Sequence, residues 1–131
     1  MGGEPVKLRN PLAIAHNHGS AGDGAGHWWA QRYTAILLIP LTLWMIWALL
    51  TVIGATHAEV AAWLGRPWNA VMGLIFVLAM IYHGILGLQV VIEDYVHHRM
   101  TEVCLQVIVK TAGIVGALMA SLSLIRLAVV G

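Results

Sequence analysis

The sequence predicts an all-α membrane protein of three transmembrane helices, with its N-terminus in the cytoplasm and its C-terminus outside. Three observations predict it. Of 131 residues, 60% are hydrophobic and 10% charged, and the mean hydropathy is +0.81, whereas a globular domain carries roughly 25% charged residues. Tyr33 to Ala58 and Pro67 to Ile92 each run 26 residues without Asp, Glu, Lys or Arg. A helix of that length covers about 39 Å, enough to cross a hydrocarbon core about 30 Å thick. A third apolar stretch, from about Val103 to Val130, holds only Lys110 and Arg126 as charges.

Residues 1–27 are rich in Gly, Ala, His and Asn, with His16-Asn17-His18-Gly19-Ser20 and Gly22-Asp23-Gly24-Ala25-Gly26. They show no helical apolar stripe and are expected to form a polar tail, mobile or ordered by a partner. Residues 28–131 are expected as the membrane domain. Its first span, about 28–56, opens on Trp28 and Trp29, whose amphipathic rings suit the interface, and carries Pro40 as an expected kink. Residues 57–67 read as a polar connection. The second span covers about 68–92, and Glu93 to Glu102 turn the chain back. The third covers about 103–130, with Lys110 and Arg126 close enough to its ends to snorkel.

Orientation follows from Lys and Arg, since acidic residues contribute little to it. Lys7, Arg9, Arg32, Arg99 and Lys110 lie on one side, and Arg66 and Arg126 on the other. That bias puts the N-terminus in the cytoplasm, or on the matrix side of an equivalent membrane. A net charge of +1 gives no basic surplus for nucleic acid. Cys104 is the only cysteine, so neither an intrachain disulfide nor a Cys-rich iron–sulfur site can form within the chain. Met1 to Asn10 lack an apolar h-region, and no cleaved secretory signal is expected.

His83 is the ionisable group placed deep in a span. It lies nine residues before Ile92, about 14 Å into the bilayer. Phe76, Met80 and Gly87 share its helical face and Gly84 adjoins it, a setting in which a flat, bulky cofactor can approach the backbone. Three roles are open to it: a hydrogen bond to a neighbouring helix, a proton relay, or a ligand. If the ligand set is that of a six-coordinate b-type haem, the second axial group must come from another polypeptide or a second copy. His16, His18, His27, His57, His97 and His98 all fall in the tail or connections.

Two further places carry polar chemistry. Glu93 and Asp94 sit at the C-terminal end of a helix, where the dipole disfavours acids. Tyr95 beside them can donate a hydrogen bond to a quinone carbonyl, or can simply belong to the interfacial aromatic belt. Arg32, at the start of the first span, can meet an anionic group such as a haem propionate or a lipid phosphate.

The stretch from His83 to Tyr95 resembles a signature of the small membrane-anchor (cytochrome b) subunit of succinate dehydrogenase: a histidine, a glycine four residues on, and Asp-Tyr eleven and twelve residues on. His83, Gly87, Asp94 and Tyr95 meet it. The block Gly26-His27-Trp28-Trp29-Ala30-Gln31-Arg32-Tyr33-Thr34-Ala35 is similar to the family's arginine-bearing entry to its first helix. The resemblance covers about residues 20 to 130.

It implies that His83 is an axial ligand of haem b, shared with a histidine of the larger cytochrome b anchor subunit. It also implies that Arg32 lies near the haem propionates, and that Tyr95 hydrogen-bonds ubiquinone with Asp94 nearby. Succinate oxidation would then belong to a flavoprotein subunit, with electrons passing through an iron–sulfur subunit to ubiquinone. The chain would be no enzyme on its own, and no residue of it catalytic. Its expected place is a bacterial inner membrane as a multi-pass protein, or the mitochondrial inner membrane if eukaryotic. Other readings are a small homo-oligomeric proton-relay or transport protein, and a haem b subunit of another respiratory complex. The first needs more polar groups than the Asn69, Tyr82 and Gln89 that accompany His83 on the second span.

Overall fold

The computed structural model describes residues 20–130, as four helices: α1 Ser20–Thr51, α2 His57–Leu64, α3 Pro67–Tyr95 and α4 Arg99–Val130. No strand occurs among the described residues. Over Gly24–Thr51, Pro67–Tyr95 and Arg99–Val129 the helices are long and apolar enough to cross a membrane. The all-α, three-span class therefore holds. The tail expected over residues 1–19 lies outside the described residues.

The helix bounds differ from the expected ones. α1 begins at Ser20, so residues 20–27, read as tail, are helical. Glycine is a poor helix former, but extending an existing helix adds one hydrogen bond per residue fixed and needs no new nucleus. α1 passes through Pro40 and ends at Thr51 rather than 56. There the Thr51 hydroxyl donates to the Ala48 carbonyl at 2.7 Å, and Gly54 takes φ +78°, a conformation that favours glycine.

The connection is not only polar coil, because it contains α2. Thr56 caps α2: its hydroxyl accepts from the Glu59 amide, while the Glu59 carboxylate accepts from the Thr56 amide at 2.7 Å. The T-x-x-E sequence is the signature of such a reciprocal cap. α3 starts on Pro67, whose missing N–H costs nothing in the first turn. It runs to Tyr95, and α4 begins at Arg99 rather than 103. Charges that end a span do not end a helix once it has left the hydrocarbon.

α3 is central, packed against α1 on one side and α4 on the other. The α1 seam is Thr34, Leu41 and Ala48, all buried and spaced by seven, so one stripe of the helix faces α3. Ala79 and Leu86 of α3 are buried at the same spacing. On the other side, a Cβ on Gly113 of α4 would collide with the Ile85 side chain. Small residues let helix backbones approach where no hydrophobic force drives them together.

α2 closes the far end of the bundle. Trp63 stacks on Trp44, with centroids 6.2 Å apart. The Asn69 amide donates to the Trp63 carbonyl at 2.8 Å. Gly65 sits so close to α4 that a Cβ would lie 2.7 Å from the Leu127 carbonyl oxygen. Among the described residues six apolar side chains are buried, half of them alanine, while Ile39, Leu43, Leu118 and Leu122 are exposed. Such a surface belongs in lipid or against other membrane helices.

Candidate functional site

His83 lies 16 residues after the start of α3 and 12 before its end, about 18 Å from Tyr95 along the axis. The antiparallel pairing of α1 with α3 sets Thr34 opposite it. His83 Nδ1 is 2.9 Å from Thr34 Oγ1. The same oxygen lies 2.9 Å from the Ala30 carbonyl and 3.0 Å from the Gln31 carbonyl of its own helix.

A hydroxyl has one proton, and carbonyl oxygens only accept. All three contacts are therefore satisfied when Thr34 donates backwards to its helix and accepts from His83 Nδ1–H. The reverse arrangement would set oxygen lone pairs against each other at 2.9 Å. In a neutral imidazole that arrangement puts the proton on Nδ1 and the lone pair on Nε2. That is the tautomer a metal ligand needs.

The imidazole stands between two clefts in the α1–α3 groove. One, of about 450 Å³, is lined by Trp28, Gln31, Arg32, Ala35, Ile36 and His83. The other, of about 420 Å³, is lined by Ala35, Leu38, Ile39, Thr42, Leu43 and His83. Arg32 is exposed and its guanidinium lies 4.6 Å from the centroid of the Trp28 ring, so the first cleft has a cationic lip. The second is nearly all apolar. At Gly84 and Gly87 an added Cβ would meet nothing within 4 Å, so α3 presents bare backbone to open space in the turn that follows the histidine.

These features fit a flat group with an apolar body and an anionic edge. Among the described residues no three His, Cys, Asp or Glu side chains come together to hold a metal ion. A single imidazole beside an apolar cleft suits iron already held in a macrocycle, not a bare ion.

The structure thus brings Arg32 and His83 to one cleft and leaves Asp94 and Tyr95 apart. Both are exposed at the end of α3, Tyr95 at 79%. Their neighbour Glu93 accepts from Gln106 of α4 at 3.3 Å, which offsets in part the unfavourable helix end. His27, half-buried on α1, has its Nε2 buried without a hydrogen-bond partner.

Thr34 is the functional residue that the sequence reading missed. Its signal was a hydroxyl inside a charge-free apolar run, within the very block quoted for Arg32, and such groups in membrane helices reach across to neighbours. A separate apolar cavity of about 410 Å³, lined among others by Trp44, Trp63 and Leu124, lies at the other end of the bundle and does not include His83.

Residues 7–125 match the family described as succinate dehydrogenase/fumarate reductase transmembrane subunit. The chain is 41% identical over 90 residues to the succinate dehydrogenase hydrophobic membrane anchor subunit of Rickettsia bellii, covering 68% of this chain and 71% of the relative. It is 39% identical over 100 residues to the subunit of the same name from Rickettsia conorii, covering 76% and 79%. Against that of Paracoccus denitrificans it is 31% identical over 90 residues, covering 69% and 70%. No solved structure matches the chain at a significant level. Three apolar helices, the cleft histidine and a match over nearly the whole chain have one meaning: the protein belongs to the succinate dehydrogenase/fumarate reductase transmembrane subunit family, with membrane anchors of succinate dehydrogenase as its relatives.

Proposed function

We propose that this membrane anchor supplies one axial ligand of haem b through His83 and part of a ubiquinone site through Tyr95. The observation that carries the reading is the His83–Thr34 bond of 2.9 Å, which leaves Nε2 as a bare donor in the groove between α1 and α3. Haem b, when bound, supplies one-electron redox capacity within the membrane. Arg32 would neutralise its propionates at the polar lip, and Leu38, Ile39 and Leu43 would keep water from its apolar edge. Among the described residues no second histidine shares this level, and in this reading a histidine of the larger cytochrome b anchor subunit would complete the ligand set. In the same reading the flavoprotein and iron–sulfur subunits dock on the side of the membrane where α3 ends. There Tyr95 donates its hydroxyl proton to a quinone carbonyl, and Asp94 orients it. Both side chains point away from the bundle of this chain, as a site completed by partners requires. The setting is a bacterial inner membrane, with α3 ending at the cytoplasmic face.

The proton-relay reading lacks support beside this one, because among the described residues Arg32 is the one ionisable side chain besides His83 that lines the two clefts at the histidine. The test is the reduced-minus-oxidised spectrum of the complex purified with its partner subunits. His83→Ala is expected to lose the b-type signal. A normal signal in that variant would sink the ligand assignment.

A further inference from the structure

The contact between α1 and α3 at the histidine level does more than join two helices. We propose that Thr34 is a positioning residue for the iron ligand: its hydroxyl holds the Nδ1 proton of His83 and so fixes the ring angle and raises the electron density that Nε2 offers. The proposal rests on the reading of His83 as an axial ligand. Thr34 is 5% exposed, and its Oγ1 is itself held by the Ala30 and Gln31 carbonyls. The acceptor that meets Nδ1–H is thus aimed by its own helix and does not rotate freely.

The ring is consequently fixed at two points, by its Cβ on α3 and by Nδ1 on α1. A ring turned by 180° about Cβ–Cγ would put Cδ2 where Nδ1 stands and Cε1 where Nε2 stands, losing the bond to Thr34 and moving the ligating nitrogen out of place. An acceptor on the remote N–H of a ligating histidine also makes the ring a stronger donor. A stronger donor favours ferric over ferrous iron, because the ferric ion carries the higher charge. Arg32 sits two residues earlier on the same turn of α1, so this one turn sets both the ring angle and the cationic lip.

The experiment uses the whole complex with Thr34→Val, Thr34→Ser and Thr34→Ala, read by haem content, by redox titration of the haem, and by the low-temperature magnetic resonance of the oxidised low-spin iron. Thr34→Val is expected to keep the haem but to move the ferric-to-ferrous ratio at a fixed ambient potential about fivefold toward ferrous, the factor one ordinary hydrogen bond carries. Its low-spin signal is expected to broaden as the ring angle loosens. Thr34→Ser, which keeps the hydroxyl, should match the wild type in both. A Thr34→Val complex with wild-type titration and signal overturns the proposal, as does Thr34→Ser altered as much as Thr34→Val. If Thr34→Val does not assemble, Thr34→Ala against Thr34→Ser gives the same comparison. A His83→Ala complex that keeps its b-type haem overturns the underlying ligand reading. Loss of haem there, with Thr34→Val unchanged, overturns this inference alone.

Discussion

Tyr95 ends α3 with most of its surface uncovered, while His83, three turns away on the same helix, is half-buried and bonded to a neighbour. A phenol this exposed among the described residues contributes little to the folding of the chain, so its removal can be read as function. Tyr95→Phe is expected to lower quinone reduction by the complex about tenfold or more, within the range of positioned proton donors. Electron transfer from succinate to an artificial acceptor should stay intact. Equal loss in both assays would mean damaged assembly instead.

The residue scale is also where sequence and structure parted. His83 was legible because an ionisable group stood alone in 26 uncharged residues. Thr34 was not, because a hydroxyl in a span hydrogen-bonds its own helix by default, and only the pairing of α1 with α3 shows that it also faces an imidazole. Asp94 and Tyr95 were legible by type and order, and the structure adds only that both stand exposed at the end of α3.

Among the elements, the three long helices could be read from hydropathy, since a bilayer demands length and apolarity before anything else. The start of α1 nonetheless lies eight residues before the expected 28, because its glycine-rich first turns carry no apolar signal. α2 was overlooked because at 8 residues it is too short to show a period, although Thr56 and Glu59 announced it. Its cap makes α2 sensitive to acid. The Glu59 carboxyl is held below its ordinary range, first by the Thr56 backbone N–H and then by the Thr56 hydroxyl. A carboxyl whose pKa is lowered by folding stabilises the fold above its unfolded value, about 4.3, and loses that contribution as pH falls through the lowered folded value. Amide exchange in α2 should therefore quicken relative to α3 as the pH drops through that window. Thr56→Ala is expected to speed it about fivefold at neutral pH and to flatten the pH dependence. An unchanged pH profile in that variant would show that the cap is not the cause.

At the scale of the molecule, α3 stands between α1 and α4 as the middle of a row. That layout leaves the groove holding His83 open to a neighbour and the outer faces of α1 and α4 to lipid or further helices. Three crossings put the two ends of the helical domain on opposite sides of the membrane. Five basic residues against two predict which side is which. A phosphatase that works only outside the cytoplasm, fused after Gly131, is expected to be active, and a fluorescent protein that matures only in the cytoplasm is expected to stay dark there. The reverse pair would invert the topology and move Tyr95 to the outer face.

The hydrogen bond between Thr34 and His83 joins residues 49 apart, both on the first two spans to emerge during synthesis. It can close while α4 is still on the ribosome, before any partner has been met. The newborn chain would then wait in the membrane with its imidazole already turned, and under the proposed reading of His83 any haem would meet a nitrogen set in place beforehand. On this view the order in which the helices are made is itself an assembly instruction, written in the choice of the first and second spans to carry the pair.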